Sequence, residues 1–232
     1  METLNKFAKI QKAEEITEDE LNKILKFTLL NNIEKDKIFI FKVALCNNEV
    51  DRDLECFTTE SLNTLAEMFI GKTGITDHSM KSENQIARLY AAEVVVDNAK
   101  LTSYGEPFAE LIGKAYMVRT EKNSDLISEI EMGIKKEVSV SCSVSTASCS
   151  ICGCDSRNSR CEHKLGEVYN NDKCFVKLEN PTDAYEWSFV AVPAQVEAGV
   201  KKTARKDKYK EPTLNKRKIK NTLIRAFSCQ ED

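Results

Sequence analysis

Hydrophobic and polar positions alternate most cleanly over residues 138–145. There Val138, Val140, Cys142 and Val144 interleave with Ser139, Ser141, Ser143 and Ser145. A period of two predicts a strand with one apolar face and one row of hydroxyls. Segments 38–46, 85–97 and 107–119 are rich in β-branched and aromatic residues and read as strands, with Tyr104-Gly105 turning the chain between the last two. Residues 174–178 and 184–192 read as two closing strands, the second holding the only tryptophan, Trp187.

Helical periods are fewer. Thr17 and Glu20 form a capping box before the stripe Leu21, Ile24, Leu25 and Leu29. Thr58 or Thr59 starts a second helix, with Leu62, Leu65 and Phe69 on one face and Gly71 as its stop. Asn123 or Ser124 starts a third, with Leu126, Ile127 and Ile130 inward and Gly133 as its stop. Many strands, few helices and no βαβ repeat predict an α+β fold with a barrel-like sheet. Residues 1–34 are expected to be a helical extension docking on the domain, residues 35–200 the domain itself, and residues 201–232 a mobile basic tail.

Composition supports a core: 41% of the 232 residues are hydrophobic and 31% charged. No apolar run reaches the roughly 18–20 residues that span a bilayer, and residues 1–15 lack the apolar stretch of a secretion signal, so a cytosolic protein is expected. The net charge of −3 hides an asymmetry: residues 201–232 carry 11 Lys/Arg against 4 Asp/Glu, a balance of +7 that leaves −10 on residues 1–200.

Beyond the serine row lies the densest group of metal-ligand side chains. Cys149-x2-Cys152 and Cys161-x-His163 supply two close pairs of ligands separated by a short loop, the pattern of a tetrahedral Cys3His zinc site. Cys154 and the more distant Cys174 are substitute ligands. Four protein ligands leave no open position for water, so a structural zinc is expected, with no cofactor for catalysis. The GKT at 71–73 is not a phosphate loop, because position 66 is Ala and a helix precedes it. That segment reads as a loop ending at Asp77-His78. With His163 on zinc, His78 is the one imidazole left for general-base work, facing serines 139, 141 or 143, with Glu186 or Asp183 as an orienting carboxylate.

Three stretches in order give these residues a context: DHS to IAR (77–88), KEVSVSCSV (136–144) and AYEWSFVAVPAQVEAGV (184–200). Together they resemble the prohead proteases of tailed bacteriophages, over roughly residues 35–200. The cysteine segment, 146–172, resembles an insertion found in versions from phages of anaerobic Gram-positive bacteria. The resemblance implies a herpesvirus-assemblin-like β-barrel surrounded by helices, with a small inserted zinc knuckle. It matches His78 to the family histidine, Ser139 to the nucleophile and Glu186 to the acidic member, with Asp183 as the alternative and Val140 and Ser141 beside the oxyanion site. Ala87 and Ser141 stand where the family has glycine.

What the resemblance implies is a serine endopeptidase of capsid maturation, working by Ser-His-carboxylate acyl transfer. Its partners would be scaffold protein and major capsid protein, with self-association, inside the procapsid in the host bacterial cytoplasm. No membrane is implied, and nucleic acid only weakly through the basic tail. Two rivals stand beside it: a catalytically inactive homologue acting in capsid assembly, and a zinc-bearing nucleic-acid module, which the acidic body disfavours.

Overall fold

In the computed structural model, residues 16–156 and 161–201 are described. The first helix, α1 (Glu18–Leu25), begins at the Thr17/Glu20 capping box and buries Leu21 and Ile24 against Ile38, Tyr90 and Tyr116. It ends at Leu25, so Leu29 lies beyond the stripe and is fully exposed. Strand β1 (Ile38–Asn47) leads through a polar turn to β2 (Glu55–Phe57) and α2 (Thr59–Phe69). Thr58 caps α2 by accepting from the Ser61 N–H at 3.2 Å, and Gly71 follows its end with φ +85°. The segment expected to be a loop then contains a short strand, β3 (Thr73–Thr76). Its alternation is too brief to register as a period.

The long hairpin β4 (Ala87–Leu101) and β5 (Pro107–Val118) turns at Gly105, with φ +90°. Helix α3 (Ser124–Glu131) buries Ile127 and Ile130 and delivers the chain into β6 (Val138–Cys149). A two-stranded hairpin, β7 (Val168–Tyr169) and β8 (Asp172–Lys173), turns on Asn170 and Asn171, both with positive φ. The two expected closing strands are one, β9 (Val176–Phe189), and β10 (Gly199–Lys201) ends the described chain. Pro181, which lacks an N–H, is tolerated inside β9 because it sits at a break in register, where Thr182 is an extra residue with no opposed position on β6.

These strands form an α+β fold with one mixed eight-stranded sheet, in the order β10-β1-β5-β4-β3-β9-β2, with β6 paired to the other edge of β9. The expected barrel is not closed by a ladder. The start of β6 meets β10 only at an isolated antiparallel bridge, Glu137 to Gly199, because the residues that would continue the ladder along β6 are those before Gly199, and 190–198 form no strand. Phe41, Leu89, Leu111, Trp187 and Phe189 from the sheet form one buried core with Leu62, Leu65 and Phe69 of α2. Among the described residues, no helix is long and apolar enough to cross a membrane.

Candidate active site and metal centre

Strand β9 is the spine of the first site. It runs parallel to β3 on one edge and antiparallel to β6 on the other. Ser139 stands opposite Ser188, and Ser141 opposite Glu186. Opposed residues of an antiparallel pair project from the same face, and so do residues two apart. Ser139, Ser141, Glu186 and Ser188 therefore share a face, while Val140 and Trp187 share the one turned to the core. Tyr185 is an extra residue in β9, so the serine face continues through the pair Ser143–Asp183.

His78 reaches this face from the turn after β3. Both Asp77 (φ 52°) and His78 (φ 50°) are left-handed, a conformation that costs about 1–2 kcal/mol per residue outside glycine. Three hydrogen bonds hold the turn: Asp77 N–H to Phe189 O at 3.0 Å, His78 N–H to Ser188 Oγ at 2.9 Å and Ser79 N–H to Thr76 O at 3.0 Å. The ring then places Nδ1 2.7 Å from Glu186 Oε1. Glu186 is 1% exposed and the His78 side chain 41% exposed, so the carboxylate is buried behind an accessible imidazole. That contact leaves Nε2 as the ring nitrogen free to exchange a proton. Glu186 Oε2 is buried without a hydrogen-bond partner.

Of the two carboxylates open at the sequence level, Glu186 is the one on His78. Asp183 is half exposed and pairs with Lys72 at 3.4 Å. Ser139 and Ser141 are both half-buried, and among the described residues neither hydroxyl is hydrogen-bonded to His78. Cys142 lies in the same strand, but burial, with Glu55 nearby, pushes its thiol up to about 11, so it is no thiolate at neutral pH. Sequence reasoning gave no role to Ser188, which anchors the histidine turn. Its signal was its position two residues after Glu186, on the same face.

The metal-ligand group is built where β6 ends. Cys149 Sγ, Cys152 Sγ, Cys161 Sγ and a His163 ring nitrogen all lie within 4.8 Å of one another. Single edges measure 3.5 Å (Cys152–Cys161), 3.6 Å (Cys161–His163 Nδ1) and 3.8 Å (Cys149–His163 Nδ1). Ligands about 2.0–2.3 Å from a tetrahedral ion sit roughly 3.5–3.8 Å apart, so the group can hold a metal such as zinc. The chain wraps tightly here, with Cys149 N–H to Cys154 O at 2.9 Å and Gly153 N–H to Cys149 O at 2.8 Å.

Backbone donation from Cys154, then the Cys161 thiol, draws Cys152 down to about 6. Cys161 accepts from the His163 backbone, yet burial and the Cys152 and Cys149 sulfurs push it up to about 11. Crowded sulfurs suppress one another's ionisation, and a cation removes that repulsion. Cys174 is buried 3.8 Å from Cys149 Sγ, outside the four-membered group. Cys154 is likewise not a member. Tyr169 packs edge-on to His163 at 4.5 Å, tying the β7–β8 hairpin to the centre.

Comparison with known proteins gave no match to a family model, a curated protein or a solved structure.

Proposed function

We propose that the protein is a serine endopeptidase of the prohead-protease type, in which His78 is the general base, Glu186 orients it and Ser139 is the nucleophile. The observation that carries this reading is the 2.7 Å contact of His78 Nδ1 with a buried Glu186 carboxylate on the face that bears the serine row. A buried carboxylate on Nδ1 fixes the tautomer, directs Nε2 outward and stabilises the imidazolium formed when a hydroxyl gives up its proton. Ser139 suits the nucleophile's place better than Ser141. It lies one pair diagonal from Glu186, about 7–8 Å away, which leaves room for a ring between them. Ser141, directly opposite, leaves no such gap.

In the proposed reaction His78 Nε2 takes the proton of Ser139 Oγ, which attacks a peptide carbonyl. The imidazolium then protonates the leaving amine, and water hydrolyses the acyl-enzyme by the same route. Backbone alternation supports Val140 N–H as an oxyanion donor. The Glu137 carbonyl is used by Val190 on the β9 side and the Lys136 carbonyl by Val200 on the other, so Val140 turns its N–H away from β9. The single bridge between β6 and β10 supports reading the coiled sheet as an assemblin-type barrel. The Cys3His group is proposed to hold a structural zinc that braces β6 and β9 beyond the serine row.

By resemblance in its motifs, the substrates are scaffold and major capsid-protein segments, cut inside a phage or prophage procapsid. The test is the intact mass of wild type beside Ser139→Ala after incubation at high concentration, alone and with scaffold and capsid proteins. Cleavage by wild type alone supports the reading; no cleavage by either overturns it. One observation favours a second reading, an inactive homologue acting in shell assembly: neither Ser139 nor Ser141 is hydrogen-bonded to His78 among the described residues.

A further inference from the structure

The buried carboxylate at the centre of the site is only half used. Glu186 Oε1 meets His78, whereas Oε2, on a residue 1% exposed, has no hydrogen-bond partner. A buried carboxylate oxygen without a donor is a costly feature, and native sites rarely leave one unexplained. The neighbours narrow the choice of donor. Ser188 Oγ already accepts from His78 N–H and donates to Phe189 O at 3.1 Å. Trp187 projects from the opposite face, and Ser139 stands one pair away. Ser141 stands directly opposite Glu186, where opposed Cβ atoms are about 4.5–5.5 Å apart. Its hydroxyl has no partner among the described residues and lies outside hydrogen-bond distance of Oε2 here, so the bond forms by a change of the Ser141 χ1 rotamer, which swings Oγ toward the carboxylate.

We propose that Ser141 is a positioning residue: its hydroxyl donates to Glu186 Oε2 and holds the carboxylate plane so that Oε1 stays on His78 Nδ1. The inference rests on the reading of His78 and Glu186 as the working pair. It gives the two serines separate tasks, Ser139 to react and Ser141 to clamp.

Removing a donor from a carboxylate raises the proton affinity of the pair it belongs to, whichever partner then holds the proton. Among the described residues, Asp77 shares the histidine's turn and Asp183, paired with Lys72, shares the serine face of β9; neither changes across the variants below. The experiment follows the His78 ring by NMR as pH is varied in the full-length, zinc-loaded protein, which has only one other histidine. Ser141→Ala and Ser141→Gly should both raise the apparent midpoint by about 0.5–1 pH unit, and Ser141→Thr, which keeps the hydroxyl, should stay within about 0.2 unit of wild type. In a Glu186→Gln background the Ser141→Ala shift should vanish.

An unchanged midpoint in both Ser141→Ala and Ser141→Gly overturns the proposal, and so does a shift that persists with Glu186→Gln. Covalent labelling by a fluorophosphonate, run on the same samples, separates this outcome from that of the peptidase reading. Labelling without the midpoint shift removes the clamp alone. The shift without labelling leaves the clamp standing and removes the peptidase.

Discussion

Gly74→Ala tests whether the β3–β9 pairing holds the histidine turn in place. Gly74 stands opposite Trp187, and a Cβ built there would sit 2.6 Å from Trp187 Cε2 and 2.8 Å from Cη2. Ordinary contact begins near 3.4 Å, so the indole must retreat by close to an ångström. It has nowhere to go: the ring is fully buried and boxed by Phe41 at 6.1 Å and Phe189 at 5.5 Å. Overpacking of this kind costs about 1–3 kcal/mol, and the stiffer unfolded chain returns about 0.4–1 kcal/mol of that. A net loss of about 1.5 kcal/mol is expected, which at a urea slope of about 1.5 kcal/mol/M lowers the unfolding midpoint by about 1 M. Trp187, the only tryptophan, reports the transition by its own fluorescence. A midpoint within about 0.2 M of wild type, with an unchanged emission maximum, would refute the packing argument. Because β3 carries the turn that presents His78, the same variant should also react more slowly with a serine-directed probe.

Three further outcomes follow from the geometry. Glu186→Gln keeps the shape of the side chain but removes the charge that steadies the imidazolium, so turnover of a cleaved scaffold segment should fall by about 10²–10⁴-fold with little change in KM. The protein as purified should carry about one zinc per chain by elemental analysis; a chelator should lower its melting temperature, and Cys149→Ser should abolish retention, since Cys149 is the buried ligand from β6. Glu20 is drawn below the usual carboxylate range: burial alone would raise it, but donation from Lys114, the Thr17 N–H and the Tyr90 hydroxyl outweighs that. A depressed folded-state value adds stability above the unfolded value near 4.5 and loses it as pH falls through the folded value. Glu20→Gln should therefore cost about 1 kcal/mol in urea unfolding at pH 7, and the gap should close below pH 4.5.

Local signals carried most of the fold. The capping box at Thr17, the cap at Thr58 and the glycines at 71, 105 and 133 mark helix ends and a hairpin turn, because each is decided by a few neighbouring residues. The metal-ligand group was legible for the same reason, since its ligands lie close together in the chain. Long-range facts were not. Whether the sheet closes depends on whether residues 190–198 run as a strand beside β6, which alternation does not encode. The union of the two expected strands, 174–178 and 184–192, into the single β9 (Val176–Phe189) turned on a register break that accommodates Pro181. At the site, the serine row was plain from alternation, yet the choice between Glu186 and Asp183 needed the extra residue at Tyr185. That bulge keeps both carboxylates on the serine face, and only the position of the β3 turn puts His78 over one of them.

The central claim is that Ser139, served by His78 and Glu186, is a nucleophile. Its most direct measurement is peptide mapping after incubation with a fluorophosphonate, comparing wild type with His78→Ala. The account predicts a single phosphonyl adduct on Ser139 in wild type and none in the variant. An adduct on Ser141, or equal labelling without His78, would contradict it.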